Sequence, residues 1–171
     1  CCAASAGESP VAHTVDVTLD PATSLVTVVD ELTLPAATTA QALTFKLNAN
    51  LVPKLEGEGV HLALASADAS AADPGMDKDS PSSRAPVPLK AWTVRFAGKP
   101  PEKLTLRYEG RINHAIAQVG EEYARGFSQS PGIVDARGAY LAGSTYWIPS
   151  FGTEYVTYRL TVTTPSGWRS V

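Results

Sequence analysis

Apolar and polar residues alternate along most of this chain with a period of two. His13, Val15, Val17 and Leu19 alternate with Thr14, Asp16, Thr18 and Asp20. In an extended chain successive side chains point to opposite faces, so this pattern predicts a strand with one face buried. Asp20-Pro21-Ala22-Thr23-Ser24 then reads as a turn, with Pro21 supplying a fixed φ. A second run carries Val26, Val28, Leu32 and Leu34 on one face and Thr27, Glu31 and Thr33 on the other. Together the two runs predict a β-hairpin. Asp30 breaks the apolar face of the second run, as a bulge or an edge position would.

The same alternation returns at Leu43-Phe45-Leu47, Val60-Leu62-Leu64, Trp92-Val94-Phe96, Leu104-Leu106-Tyr108 and Val156-Tyr158-Leu160-Val162. Seven or more short strands separated by turn signals predict an all-β antiparallel sandwich with long loops. No segment carries an apolar stripe of period 3.6, so little helix is expected.

Two segments interrupt the alternation. Residues 66–88 are rich in Ala, Ser, Asp and Pro and lack large apolar side chains, which predicts a mobile loop. Residues 111–138 are long, mixed and Gly-punctuated, which predicts irregular chain with room for one helical turn near Glu121–Tyr123. The domain organisation that follows is a flexible tether over 1–11 and one β-sandwich domain over 12–171.

Length and composition agree with one domain. The 171 residues are 44% hydrophobic and 18% charged, with a formal net charge of −3. That is ordinary for a globular chain. The absence of a basic block removes the electrostatic footprint that nucleic acid requires. Both cysteines, Cys1 and Cys2, are adjacent at the start of the chain, so a disulfide framework is not expected. The small polar run after them gives Cys1 two readings. It is the lipidated first residue of a mature bacterial lipoprotein, or a start point of no chemical significance. On the first reading the chain belongs to the cell envelope or periplasm and meets a membrane only through a lipid at Cys1. Secretion is the alternative.

Candidate chemistry is sparse. His13 and His61 fall on predicted strands and His114 in a loop, without the H-E-x-x-H spacing of a helical zinc site. The expectation for the two strand histidines is half-exposure, and for the chain no metal ligands and no cofactor. Glu121-Glu122 is the only adjacent acidic pair, and side by side it reads as solvated surface rather than as two carboxylates flanking a substrate. A Gly-x-Ser-x-Gly elbow and a phosphate-cradling Gly-rich loop are absent from the sequence. The chain is therefore expected to carry no catalytic residue. What stands out is an aromatic group, Tyr140, Tyr146, Trp147, Phe151, Tyr155 and Tyr158. Aromatic side chains dominate both cores and interfaces. The expectation is a core cluster for most of them, with a surface that packs on another domain as the functional reading. Pro149 should stop a regular strand ladder.

The run LTLRYEGRI at 104–112, the hairpin sequence at 13–34 and three ordered motifs near the end carry a resemblance. The motifs are Tyr140-Leu141, Trp147-Ile148-Pro149 and Pro165-Ser166-Gly167-Trp168. In that order the chain resembles, over residues 12–171, the N-terminal β domain of bacterial M1-family zinc metallopeptidases of the aminopeptidase N type. The resemblance implies a saddle-like β domain that packs on a downstream catalytic domain of the same protein and caps its cleft. Zinc, peptide substrate and the catalytic groups would all belong to that further domain. It also marks Tyr140, Ser144, Tyr146 and Trp147 as residues beside the cleft. Where many family members place a Gln or Glu for the substrate's amine this chain has Tyr140. Where they write Pro-Cys-x-Asp it has Pro149-Ser150-Phe151-Gly152. The alternative reading is a free-standing β-sandwich binding module of a bacterial surface lipoprotein, which would present an exposed aromatic platform.

Overall fold

A computed structural model describes residues 11–35, 38, 40–69, 87–119, 127–129, 132–152 and 156–169. The tether ahead of Val11, most of the 66–88 loop, Glu121–Tyr123 and Tyr155 lie outside the described residues.

The larger sheet holds β1 (Ala12–Asp20), β2 (Leu25–Thr33), β4 (Val52–Glu56), β7 (Lys103–Arg111) and β12 (Thr157–Thr163), in the order β12-β1-β2-β7-β4. The smaller sheet holds β3 (Ala42–Asn48), β5 (Val60–Ser66) and β6 (Leu89–Phe96), in the order β3-β6-β5. Among the described residues, four short strands and a 3₁₀ turn lie between β7 and β12. Strands β8 (Ala117–Val119) and β9 (Phe127–Gln129) pair with each other, and β10 (Gly132–Asp135) forms a hairpin with β11 (Gly138–Leu141). A single 3₁₀ turn spans Gly143–Thr145. The chain is nearly all β, as the alternation predicts.

The predicted first hairpin forms in register, with Val17 opposite Val28 and Asp20 opposite Leu25. Asp20 caps its turn, accepting from the Ala22 amide at 3.0 Å and the Thr23 hydroxyl at 2.7 Å. One face of the larger sheet is polar and solvated; there Lys103 meets Glu31 and Arg107 meets Glu56, each at 2.7 Å and each exposed. The other face is apolar and meets the smaller sheet. Val15, Val26, Val28, Leu32, Leu106, Phe45, Leu47 and Val94 are all at most 1% exposed and belong to one core. At roughly 25 cal/mol per Å² of apolar area, burial of this kind drives a sandwich to close.

Close approach fixes one glycine. Gly110 lies in β7 beside the β3–β4 turn, where a Cβ would stand 1.9 Å from the Asn50 carbonyl oxygen. Only hydrogen fits, so the turn can lie flat on the strand.

Several features differ from the sequence expectation. β4 contains Pro53, which obscures its alternation; it is tolerated because β4 is the edge strand, where a missing N–H is least costly. β8, β9 and β10 lie within the 111–138 segment expected to be irregular; strands of three or four residues are too short to show a period. β12 joins β1 in parallel, whereas every other strand pairing among the described residues is antiparallel. A strand that arrives from far along the chain is not bound by hairpin geometry.

Candidate functional site

The aromatic segment after β11 begins on a built foundation. Asn48, at the end of β3, is fully buried. Its amide Nδ2 donates to the Thr145 carbonyl at 3.0 Å, its Oδ1 accepts from the Asn50 amide at 3.0 Å, and its own backbone N–H donates to the Tyr146 carbonyl at 2.8 Å. His114 Nε2 lies 3.4 Å from Asn48 Nδ2. Burial pushes the His114 imidazole below its ordinary pKa, which favours the neutral ring that can accept here. One buried amide thus ties together β3, the 3₁₀ turn and the chain after β7. Gly132 completes the fit, since a Cβ there would come within 2.7 Å of the Thr145 side chain.

This anchoring holds Tyr146 in the left-handed region, at φ 53° and ψ 40°. A non-glycine residue there costs of order 1 kcal/mol and persists only when its surroundings hold it. The chain then runs beside β3, where Lys46 and Ser150 exchange backbone hydrogen bonds of 2.8 and 2.9 Å. Among the described residues this is an isolated bridge, in keeping with Pro149 between Ile148 and Ser150. Phe151 closes the segment. Its ring packs tilted on Phe45 at 5.5 Å and on His13 at 6.1 Å.

Of the expected cleft residues, Trp147 points inward and is 8% exposed, part of the core. Tyr146 lines a hollow of about 230 Å³ with Thr44, Lys46, Ala91, Ser150 and Phe151. Tyr140 is 58% exposed and lines a different hollow, with Ile116, Ile133, Asp135, Arg137 and Ala139. Ser144 sits exposed on the 3₁₀ turn and lines neither. The four residues therefore do not converge on one pocket. The expected core cluster of aromatics is corrected: Trp147 is buried, Tyr146 and Phe151 are half-buried, Tyr140 and Tyr158 are exposed, and Tyr155 lies outside the described residues. Sequence spacing does not say which aromatic residue of a loop turns inward.

Among the described residues, four of the eight exposed large hydrophobic side chains lie on or just before β12. Tyr158, Leu160 and Val162 stand opposite His13, Val15 and Val17 of β1, and residues paired across two strands share a face. They therefore belong to the core-facing side of the larger sheet. Yet Tyr158 is 62%, Leu160 40% and Val162 48% exposed, and Val156 just before the strand is 45% exposed. The larger sheet has five strands and the smaller three, and β12 contributes no side chain to the core cluster. The result is an apolar strip roughly 20 Å long at about 3.3 Å per residue.

Two expectations at β1 and β2 are overturned. Asp30 is neither a bulge nor an edge residue: it pairs in register with Val15 and Leu106 in mid-sheet and is fully buried. His13 is not half-exposed but 2% exposed, because its Nδ1 lies 2.8 Å from Asp30 Oδ2. The sequence signal was present in both cases, since each polar residue stood on an apolar face, and the partner was one strand away. His61 is exposed and His114 half-buried. Among the described residues no group of three or more His, Cys, Asp or Glu side chains could hold a metal ion.

No family model matches the chain, and neither a curated protein nor a solved structure is similar enough to count as a match.

Proposed function

We propose that this chain is the non-catalytic N-terminal β domain of an M1-like zinc metallopeptidase, packed on a catalytic domain of the same protein and flanking its cleft. The observation that carries the reading is the bare strip of Val156, Tyr158, Leu160 and Val162 on the core-facing side of β12. An apolar sheet margin of this kind is a surface that another layer covers. Supporting it are the ordered motifs at Tyr140-Leu141, Trp147-Ile148-Pro149 and Pro165-Ser166-Gly167-Trp168. In this role Tyr140, Ser144, Tyr146 and Trp147 contribute shape beside the cleft, while zinc and proton transfer belong to the catalytic domain. A lipid at Cys1 would hold the protein at the cell envelope or in the periplasm.

The polypeptide encoded beyond Val171 tests the reading. An H-E-x-x-H helix with a further Glu ligand is expected there. A stop codon or an unrelated domain in its place overturns it. In the longer protein, Leu160→Asp should detach the β domain and expose its junction to protease. The exposed rings of Tyr140 and Tyr158 favour one second reading, a free-standing binding module of a surface lipoprotein. In that case Leu160→Asp leaves the parent's domain arrangement unchanged.

A further inference from the structure

Inside the sandwich, three polar side chains cross the core on a diagonal. His13 on β1, Asp30 on β2 and Tyr108 on β7 share the inner face, each offset by two residues from its neighbour's direct partner. His13 and Asp30 side chains are completely buried, and Tyr108 is 2% exposed. Beyond the 2.8 Å His13–Asp30 contact, His13 Nε2, Asp30 Oδ1 and Tyr108 Oη have no hydrogen-bond partner among the described residues. Among the described residues the buried polar or charged side chains are these two and Asn48 and Thr145, so no buried Lys or Arg offers a countercharge.

The groups around the pair are few. From the aromatic segment Phe151 packs on His13, and from the smaller sheet Phe45 packs on Phe151; neither titrates. From β12, Tyr158 stands across from His13 but is exposed. From β7, Tyr108 is held neutral, its phenol pushed well above the ordinary range by burial and then by the nearby Asp30. His13 alone can balance a charge on Asp30.

We propose that His13 and Asp30 hold one proton between them in the folded protein that the unfolded chain gives up near neutrality, so that this core is a lock that weakens as pH rises above neutrality. An imidazolium facing a carboxylate is net neutral, and so is an imidazole facing a carboxylic acid. An imidazole beside a carboxylate leaves a bare negative charge in the core, at a prohibitive desolvation cost. Burial raises the Asp30 carboxyl above its ordinary range, and the His13 contact only partly offsets this, in line with a proton kept on the pair. In the unfolded chain a free carboxyl has lost its proton above about pH 4 and a free imidazole above about pH 6.5. Above that point the native state binds more protons than the unfolded state, so stability falls with rising pH.

Urea unfolding of this chain between about pH 6 and pH 9 tests the lock, below the range where ordinary tyrosines titrate. In the wild type the unfolding equilibrium constant should climb by up to about tenfold per pH unit above neutrality, the limit for one proton. Asp30→Asn removes the charge and should flatten that climb. The double variant His13→Leu/Asp30→Leu, which keeps the site filled and apolar, should flatten it as well and serves if Asp30→Asn does not fold. A climb that persists undiminished in the double variant overturns the proposal. So does nitrogen and carboxyl-carbon NMR of the wild type near pH 8 that finds a singly protonated His13 ring beside an ionised Asp30; a doubly protonated ring or a protonated carboxyl upholds it.

Discussion

β2 and β12 are written in the same alternating code and lie in the same sheet, yet their apolar faces meet opposite fates. Val26, Val28 and Leu32 of β2 are at most 1% exposed, whereas Tyr158, Leu160 and Val162 of β12 are 40–62% exposed. The difference is position. β2 has β1 on one side, β7 on the other and the smaller sheet above it; β12 has only β1 beside it and lies at the margin. Alternation therefore reports which face of a strand is apolar, and leaves open whether this chain supplies the layer that covers it.

The comparison can be pressed by substitution, with urea unfolding as the measure. The largest losses should come from the interior. His13→Leu alone leaves the Asp30 carboxyl buried without its partner and should cost about 3–5 kcal/mol, unless Asp30 takes up a proton and softens the loss. The double variant with Asp30→Leu should restore most of that loss or exceed the wild type, because apolar replacement of a buried pair is often neutral or stabilising. Phe45→Ala should cost about 3–5 kcal/mol, since it empties the space between Phe151 and the core. Gly110→Ala should cost about 1–3 kcal/mol or more, because its Cβ meets the Asn50 carbonyl and either β7 or the turn must move. At the other extreme, Leu160→Ala in β12 should change the stability of this chain by no more than about 0.5 kcal/mol. A loss from Leu160→Ala as large as that from Phe45→Ala would erase the distinction between covered and bare faces. A small loss in this chain joined to a large one in a longer parent protein would sharpen it into an interface.

The buried and exposed polar pairs make the same point on a smaller scale. Lys103–Glu31 and Arg107–Glu56 lie in water on the outer face, where solvent screens them and their removal should leave the midpoint nearly unchanged. His13–Asp30 is as close but sealed, so its loss exposes the full cost of a buried charge.

Much of the candidate site was legible only in part. The aromatic residues near the end drew attention by composition, and Pro149 marked where a ladder would stop. That Trp147 enters the core follows the left-handed turn at Tyr146, beside the Thr145 carbonyl held by Asn48 nearly a hundred residues earlier, whereas Tyr140 faces solvent from the β10–β11 hairpin. Nothing local to Tyr146 announces that anchor.

The sequence by itself determined the class of fold and the first hairpin, because period-two alternation and turn chemistry act between near neighbours. It also set apart two polar residues on apolar faces, His13 and Asp30, though not that they would meet. The tertiary structure decided the parallel docking of β12 on β1, the pairing of His13 with Asp30 across two strands, and which apolar face stays bare. These outcomes depend on the order in which strands assemble into sheets and on how far one sheet reaches over the other, and such distances in space have no period along the chain.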